Sequence, residues 1–80
     1  MKLQGYSYRL VKANQEADSE NVGVQLGRYC IAKNIPVHKA AEVFKVSRMT
    51  IYTWFTGQSA PHKKRAEKIK EALIKAKFSV

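Results

Sequence analysis

Three things are scarce in this sequence of 80 residues: cysteine, acidic side chains and long apolar runs. Cys30 is the single cysteine, so no disulfide can form within the chain, and a reducing compartment is indicated. No apolar run approaches the roughly 18 residues that a membrane-spanning helix needs. The first residues, MKLQGYSYRLVKA, lack the apolar segment of a signal peptide. These absences predict a small cytoplasmic protein with one domain.

The residue groupings typical of catalysis or metal binding are also missing. His38 and His62 have no nucleophile or acid at a telling spacing. Together with Cys30 they do not match the spacing of zinc ligands. Cys30 itself falls within an apolar helical pattern, which is typical of a core position. We therefore expect no enzymatic activity, no cofactor and no bound metal ion.

Basic side chains, in contrast, are abundant and unevenly distributed. The chain has 15 Lys and Arg against 6 Asp and Glu, a formal net charge of +9. Residues 1–20 carry three basic and three acidic side chains, residues 21–57 five and one, and residues 58–80 seven and two. Such an excess favours polyanions or anionic membrane surfaces as partners. The surface that contacts this partner is expected in the last three quarters of the chain.

Apolar spacing and capping residues predict an all-α fold, a small bundle of four to five helices with an N-terminal arm of uncertain structure. Asn21 or Ser19 caps the first helix, and Ser47 caps the third. Gly57 suits a left-handed helix end. Gly23 and Gly27 either weaken the first helix or let another helix approach it closely. The predicted helices are Val22–Asn34, Pro36 or Val37 to Lys45, about Arg48–Phe55, and about Pro61 to Lys77.

Helical periodicity also assigns an inner face to each of the last three predicted helices. In order along the chain, the residues on these faces are Val37, Ala40, Ala41, Val43 and Phe44; Ile51, Trp54 and Phe55; and Ala66, Ile69, Leu73 and Ala76.

The outer face of the third helix is unusual, because it carries Arg48, Met49, Tyr52, Thr53 and Thr56. An ordinary solvated face prefers Glu, Lys and Gln, which are better helix formers than threonine or tyrosine. Hydroxyl groups and arginine bond to base edges and phosphates, and methionine packs on a thymine methyl group. The composition of this face therefore favours contact with a ligand, and DNA fits its chemistry.

The segment VHKAAEVFKVSRMTIYTWFTG, residues 37–57, resembles the helix-turn-helix of DNA-binding proteins of the phage lambda repressor/Cro-like (XRE-type) class. Ala41 takes the small position of the first helix, Val46 and Ser47 lie in the turn, and Ile51 and Trp54 form the buried pair. Lys45 departs from the pattern, since that position usually holds glycine. It often takes a left-handed conformation, which is costly for a residue with a Cβ atom.

The resemblance implies a sequence-specific regulator of transcription, phage or bacterial, that binds double-stranded DNA with the third helix in the major groove. The residues expected to read bases are Arg48, Met49, Tyr52 and Thr53. The residues expected to contact phosphates are His38, Lys39, Ser47, Thr56, Gln58, Ser59, Lys63 and Lys64. The cluster HKKR at 62–65 opposes the dipole of its helix, which an anionic partner would offset.

The expected organisation is an N-terminal arm or extra element at residues 1–20, the DNA-binding domain at 21–77 and a tail at 78–80. Tyr6, Tyr8 and Leu10 alternate like a strand, whereas Tyr6, Leu10, Ala13 and Ala17 suit a helix. The first twenty residues either pack on the domain, pair with a second subunit, or lie along DNA through Lys2, Arg9 and Lys12.

Two further alternatives stay open at the level of the sequence. Ile74, Phe78 and Val80 supply either a homodimer contact or packing within one monomer. A helix-turn-helix also serves in some proteins as a protein-interaction module, for example on RNA polymerase, and fold alone does not determine function.

Overall fold

Five helices form the part of the chain that the computed structural model describes, residues 6–75. They are α1 Tyr8–Glu16, α2 Val22–Ala32, α3 Val37–Phe44, α4 Arg48–Phe55 and α5 Lys63–Lys75. The predicted all-α fold of four to five helices is thus confirmed. The predictions that involve Lys2, Ala76, Lys77, Phe78, Val80 and the tail at 78–80 concern residues outside the described range.

Helix α4 has the predicted bounds, whereas α2 ends earlier and α5 begins later than predicted. Asn34 adopts a left-handed conformation with φ 58°, and the N–H of Ile35 donates to the Cys30 carbonyl at 2.8 Å. This geometry closes α2 before Asn34. At α5, the His62 carbonyl accepts the N–H of Ala66 at 2.7 Å. The helix therefore begins after His62, two residues later than the predicted start at Pro61.

The ends of α3 and α4 repeat the left-handed closure seen after α2. Lys45 has φ 57°, and the N–H of Val46 donates to the Ala41 carbonyl at 3.0 Å. Gly57 has φ 79°, and the N–H of Gln58 donates to the Thr53 carbonyl at 2.9 Å. The left-handed conformation anticipated at both positions is confirmed. At position 45 this left-handed conformation is adopted by a lysine, a residue with a Cβ atom.

The core lies between α2 and the two helices α4 and α5. Ile51, Trp54 and Phe55 are buried as predicted. A Cβ atom added to Gly23 would lie 2.7 Å from the Cβ of Trp54, and one added to Gly27 would lie 2.9 Å from the Cγ of Phe55. Both glycines therefore allow α4 to approach α2 closely, which was one of the two interpretations of these residues.

Val43 corrects the predicted inner face of α3. Its side chain is 40% exposed, while Phe44 beside it is buried. Val43 lies at the edge of the apolar arc of α3, whereas Phe44 lies nearer its middle. Val43 is left at the rim of a shallow groove with Lys68 and Ala72 of α5.

The described N-terminal segment is helical rather than extended, and it packs on the rest of the domain. The hydroxyl of Ser7 accepts the N–H of Leu10 at 3.1 Å and so caps α1. Before the helix, the buried Tyr6 donates its hydroxyl to the Ile35 carbonyl. Its ring stacks on that of Phe55, with the two centroids 6.3 Å apart. Of the three alternatives for the first twenty residues, these contacts correspond to packing on the domain.

Candidate nucleic-acid interface

Helices α3 and α4 are joined by a turn of three residues, 45–47, and contacts at both ends hold α4 in place. At its start, the Ser47 hydroxyl accepts the N–H of Thr50 at 3.1 Å, the predicted cap. At its end, the Asn14 side chain donates to the Phe55 carbonyl at 2.7 Å. Arg65 of α5 donates to the Phe44 carbonyl at 3.0 Å, at the end of α3. The exposed face of α4 is therefore presented by a rigid support.

Three of the predicted base-reading residues project from this face, and their side chains form no hydrogen bond with any residue from 6 to 75. Arg48 is exposed, Met49 is 71% exposed and Tyr52 is 41% exposed. They lie on the first five residues of α4. Tyr52 follows Arg48 by four positions and Met49 by three, the spacings at which side chains are neighbours on a helix surface. A cation, a thioether and a phenol are thus available side by side to a ligand.

The hydroxyl groups of α4 and the following loop form hydrogen bonds within the protein, which the sequence did not predict. Thr53 donates to the Thr50 carbonyl at 2.7 Å, and Thr56 donates to the Tyr52 carbonyl at 2.8 Å. Ser59 donates to the hydroxyl of Thr53 at 2.9 Å. The Tyr52 carbonyl also accepts the N–H of Thr56 at 3.1 Å, so the threonine hydroxyls add a second bond to the helix backbone, as threonine side chains within helices commonly do. In this conformation, Thr53, Thr56 and Ser59 donate their hydroxyl protons within the protein, so their predicted contacts to bases and phosphates stay predictions.

The other residues predicted to contact phosphates also divide into those with side-chain hydrogen bonds inside the protein and those without. The hydroxyl oxygens of Ser47 and Thr50 lie 3.1 Å apart, so Ser47 is engaged by its own helix cap. The other five, in contrast, form no side-chain hydrogen bond within residues 6–75, and all are exposed except Lys39, which is half-buried. These five residues are His38, Lys39, Gln58, Lys63 and Lys64.

Arg65 belongs to the basic cluster by sequence but not by contact, because it is half-buried and bonded to Phe44. Nothing in the basic run HKKR distinguishes this arginine from the two lysines before it. Its role depends on the end of α3, which is 21 positions away in the chain.

The charge of the interface is not neutralised by the described part of the chain. Among residues 6–75, the one ion pair joins Lys75 to Glu71 at 3.0 Å, on α5. Residues 37–64 carry five basic side chains and one acidic side chain. The cations at positions 39, 45, 48, 63 and 64 form no ion pair with any described residue. This face is therefore suited to an anionic partner.

A groove next to α4 was not anticipated from the sequence. It has a volume of about 440 Å³ and lies between the start of α1 and the middle and end of α4. Its lining residues are Ser7, Arg9, Leu10, Ala13, Tyr52, Thr56 and Gln58. Apolar periodicity places Leu10 and Ala13 on an inner face of α1, but it does not say which helix they contact.

Neither a metal site nor a membrane span is present within residues 6–75. No group of three or more His, Cys, Asp or Glu side chains in this range is placed to hold a metal ion. No helix of the same residues combines the length and the apolar character that a membrane span requires.

Comparisons with protein-family models, with curated proteins and with solved structures found no match to this chain. Any functional assignment therefore depends on its own residues and their geometry.

Proposed function

We propose that this protein binds double-stranded DNA sequence-specifically, with α4 in the major groove, and regulates transcription in a phage or bacterium. One observation carries the proposal: Arg48, Met49 and Tyr52 project, without hydrogen bonds to other described residues, from the start of a helix that is fixed at both ends. The support is the arrangement around α4, since helix-turn-helix proteins place the N-terminal residues of a helix that follows another helix and a tight turn against base edges.

The three side chains supply complementary means of reading base pairs. The guanidinium of Arg48 suits guanine O6 and N7, which is the commonest specific contact in the major groove. The Met49 thioether suits a thymine methyl group, and the Tyr52 hydroxyl suits a base edge or a phosphate. Discrimination at one or two base pairs is expected to depend mainly on Arg48.

Backbone contacts are assigned to the cations around α4. Helix α3 has no side-chain hydrogen bond at its N-cap, Pro36. Its first N–H groups and its dipole thus favour a phosphate near His38 and Lys39. Lys63 and Lys64 begin α5, where the dipole disfavours positive charge, and a phosphate would offset that cost.

The exposed apolar parts of Met49 and Tyr52 support a second candidate, a protein partner that docks on the same face of α4. The two candidates differ in their dependence on salt. Binding to DNA weakens steeply as ionic strength rises, because neutralised phosphates release counterions.

The deciding experiment begins with selection of bound sequences from a random duplex pool. Fluorescence anisotropy then gives the affinity for the selected duplex and for a scrambled one at four salt concentrations. Arg48→Ala is expected to lose about 1–3 kcal/mol on the selected duplex and much less on the scrambled one. Lys70→Ala, on the outer surface of α5, is the control and should bind both duplexes like the wild type.

The same titration tests the phosphate contacts. The double variant Lys63→Gln/Lys64→Gln should weaken binding to both duplexes equally. Its slope of log affinity against log salt should be shallower by up to about 2, at about 0.9 for each lost contact. If the wild type binds no duplex at low salt, or binds independently of salt, the DNA proposal fails and the protein-partner candidate replaces it.

A further inference from the structure

The groove between α1 and α4 combines residues that lie far apart in the sequence. One wall comes from α1 and contains Arg9, and the other comes from α4 and the loop after it and contains Tyr52 and Gln58. Tyr52 belongs to both surfaces, because it also stands beside Arg48 and Met49 on the exposed face of α4. The groove is therefore continuous with the candidate nucleic-acid interface.

Side-chain hydrogen bonds attach the helix that forms one wall of the groove, α1, to the rest of the domain. The buried side chain of Asn14 donates to the carbonyls of Val24, at 3.1 Å, and Phe55, at 2.7 Å. The guanidinium of Arg28 donates to the carbonyls of Asn14, Gln15 and Ala17 at 3.2–3.3 Å. These bonds attach the second half of α1 to α2 and to the end of α4.

The exposed part of α1 next to the groove is positively charged. Arg9 is exposed and forms neither a hydrogen bond nor an ion pair with any residue from 6 to 75. Lys12 follows it three positions later, and Arg9, Lys12 and Glu16 line a second shallow pocket on α1. Glu16 is the nearest acidic residue along α1. It lies seven positions beyond Arg9, or about 10 Å at 1.5 Å per residue.

The charge and position of Arg9 fit the backbone of a nucleic acid whose bases face α4. We infer that α1 is part of the DNA-binding surface and that Arg9 contacts a backbone phosphate of the strand lying along the groove between α1 and α4. This inference rests on the proposed DNA binding. It adds a contact from outside the segment that resembles a helix-turn-helix, and it extends the bound duplex toward α1.

The test compares Arg9→Gln, Arg9→Lys and Lys70→Gln with the wild type, on the selected and scrambled duplexes, from about 0.05 to 0.3 M salt. Arg9→Gln is expected to lose affinity about eightfold at 0.1 M salt and to have a slope shallower by about 0.9, as for one lost phosphate contact. Both duplexes should be affected equally, because a phosphate contact carries no sequence information.

Two variants act as matched controls. Arg9→Lys keeps the charge and should retain most of the affinity. Lys70→Gln removes one charge from α5, away from the groove, and should keep the wild-type slope. All variants should melt within about 2 °C of the wild type, because Arg9 and Lys70 form no bonds within the described residues.

Four results would overturn the inference. If the slope of log affinity against log salt is the same for Arg9→Gln as for Lys70→Gln, α1 is excluded from the DNA-binding surface, while DNA binding by the wild type still stands. A loss confined to the selected duplex would indicate a base contact instead of a phosphate. Arg9→Lys as weak as Arg9→Gln would exclude a charge-based contact. No binding of the wild type to either duplex would remove the proposed function together with this inference.

Discussion

The polar side chains of α4 differ in whether they form hydrogen bonds within the protein, and their positions in the sequence do not predict this difference. Thr53 and Thr56 donate their hydroxyl protons to carbonyls of their own helix. Arg48, Met49 and Tyr52 form no such bond within residues 6–75 and are exposed. The hydroxyl donors thus lie in the second half of a helix of 8 residues and just after it, and the exposed side chains without such bonds lie on its first five residues.

Lys45 is the residue at which local strain is clearest. It adopts a left-handed conformation with φ 57° and ψ 47°, which closes α3 and starts the turn toward α4. For a residue with a Cβ atom this conformation costs about 1–2 kcal/mol, whereas glycine adopts it freely. Glycine loses more chain entropy on folding, by about 0.5–1 kcal/mol, so part of the gain is offset.

The substitution Lys45→Gly is therefore expected to raise the free energy of unfolding by about 0.5–1 kcal/mol. Urea denaturation followed by tryptophan fluorescence measures this change. Lys45→Ala is the control, because it removes the same charge but keeps the Cβ atom, and it should give no gain. Equal stabilisation by both variants would attribute the effect to charge and not to the backbone.

At the scale of elements, the position of α1 depends on side chains that bond to the backbone of other helices. Asn14 is buried, and its amide lies against Gly27, where an added Cβ atom would come within 2.5 Å of Nδ2. From there it donates to carbonyls of both α2 and α4. One amide thus joins three helices, and it bonds the last carbonyl of α4.

Replacement of this amide should weaken the attachment of α1 to the other helices. Asn14→Ala is expected to lower the free energy of unfolding by about 2–3 kcal/mol, because the Phe55 carbonyl is left buried without its partner. Gln15→Ala, at the exposed neighbouring position, should change it by less than about 0.5 kcal/mol. Urea denaturation of both variants provides the comparison. If Asn14→Ala and Gln15→Ala change the free energy of unfolding equally, apolar contacts alone hold α1 in place.

At the scale of the whole molecule, the core contains two weakly acidic groups that are buried in their neutral form. Burial raises the pKa of the Cys30 thiol from its ordinary 9.0 to about 12. Burial is also the main cause that raises the pKa of Tyr6 above its ordinary 10.0, with smaller contributions from Cys30 and Tyr52. The contribution of each group to the free energy of unfolding is fully present at pH values where the group is protonated in both the folded and the unfolded chain.

The stability of the fold should therefore decrease in alkaline solution. Below pH 9 the thiol is protonated in both states, and its contribution is fully present. Between pH 9 and 12 only the unfolded chain loses the proton, so the contribution falls as pH rises, by up to about 1.4 kcal/mol for each pH unit. Tyr6 adds to the decrease above pH 10.

Urea denaturation at pH 8, 9 and 10 measures this dependence. Cys30→Ala removes the thiol and should flatten the decrease between pH 9 and 10, whatever its stability at pH 8. An unchanged slope in this variant would mean that Cys30 does not remain protonated in the folded state. The protonated thiol should also react slowly with Ellman's reagent in the native protein.

Much of the fold could be predicted from the sequence, because it depends on residues that are close together in the chain. The cap at Ser47, the left-handed Gly57 and the buried arc of Ile51, Trp54 and Phe55 are all local patterns of α4. Exposure of Arg48, Met49 and Tyr52 follows from the same periodicity. The all-α class and the bounds of α4 are therefore properties that the amino-acid sequence determines by itself.

The tertiary structure alone decided how distant residues meet. Asn14 bonds to Phe55 across 41 positions, Arg65 to Phe44 across 21, and Tyr6 to Ile35 across 29. No local pattern encodes such contacts, because the partner is a backbone carbonyl that any residue type would provide. The groove that brings Arg9 beside Tyr52 arises in the same way. It exists because α1 packs mainly on α2, in a position that leaves the start of α1 facing Tyr52 across a groove. The apolar periodicity of α1 specifies a buried face without specifying the neighbour that buries it.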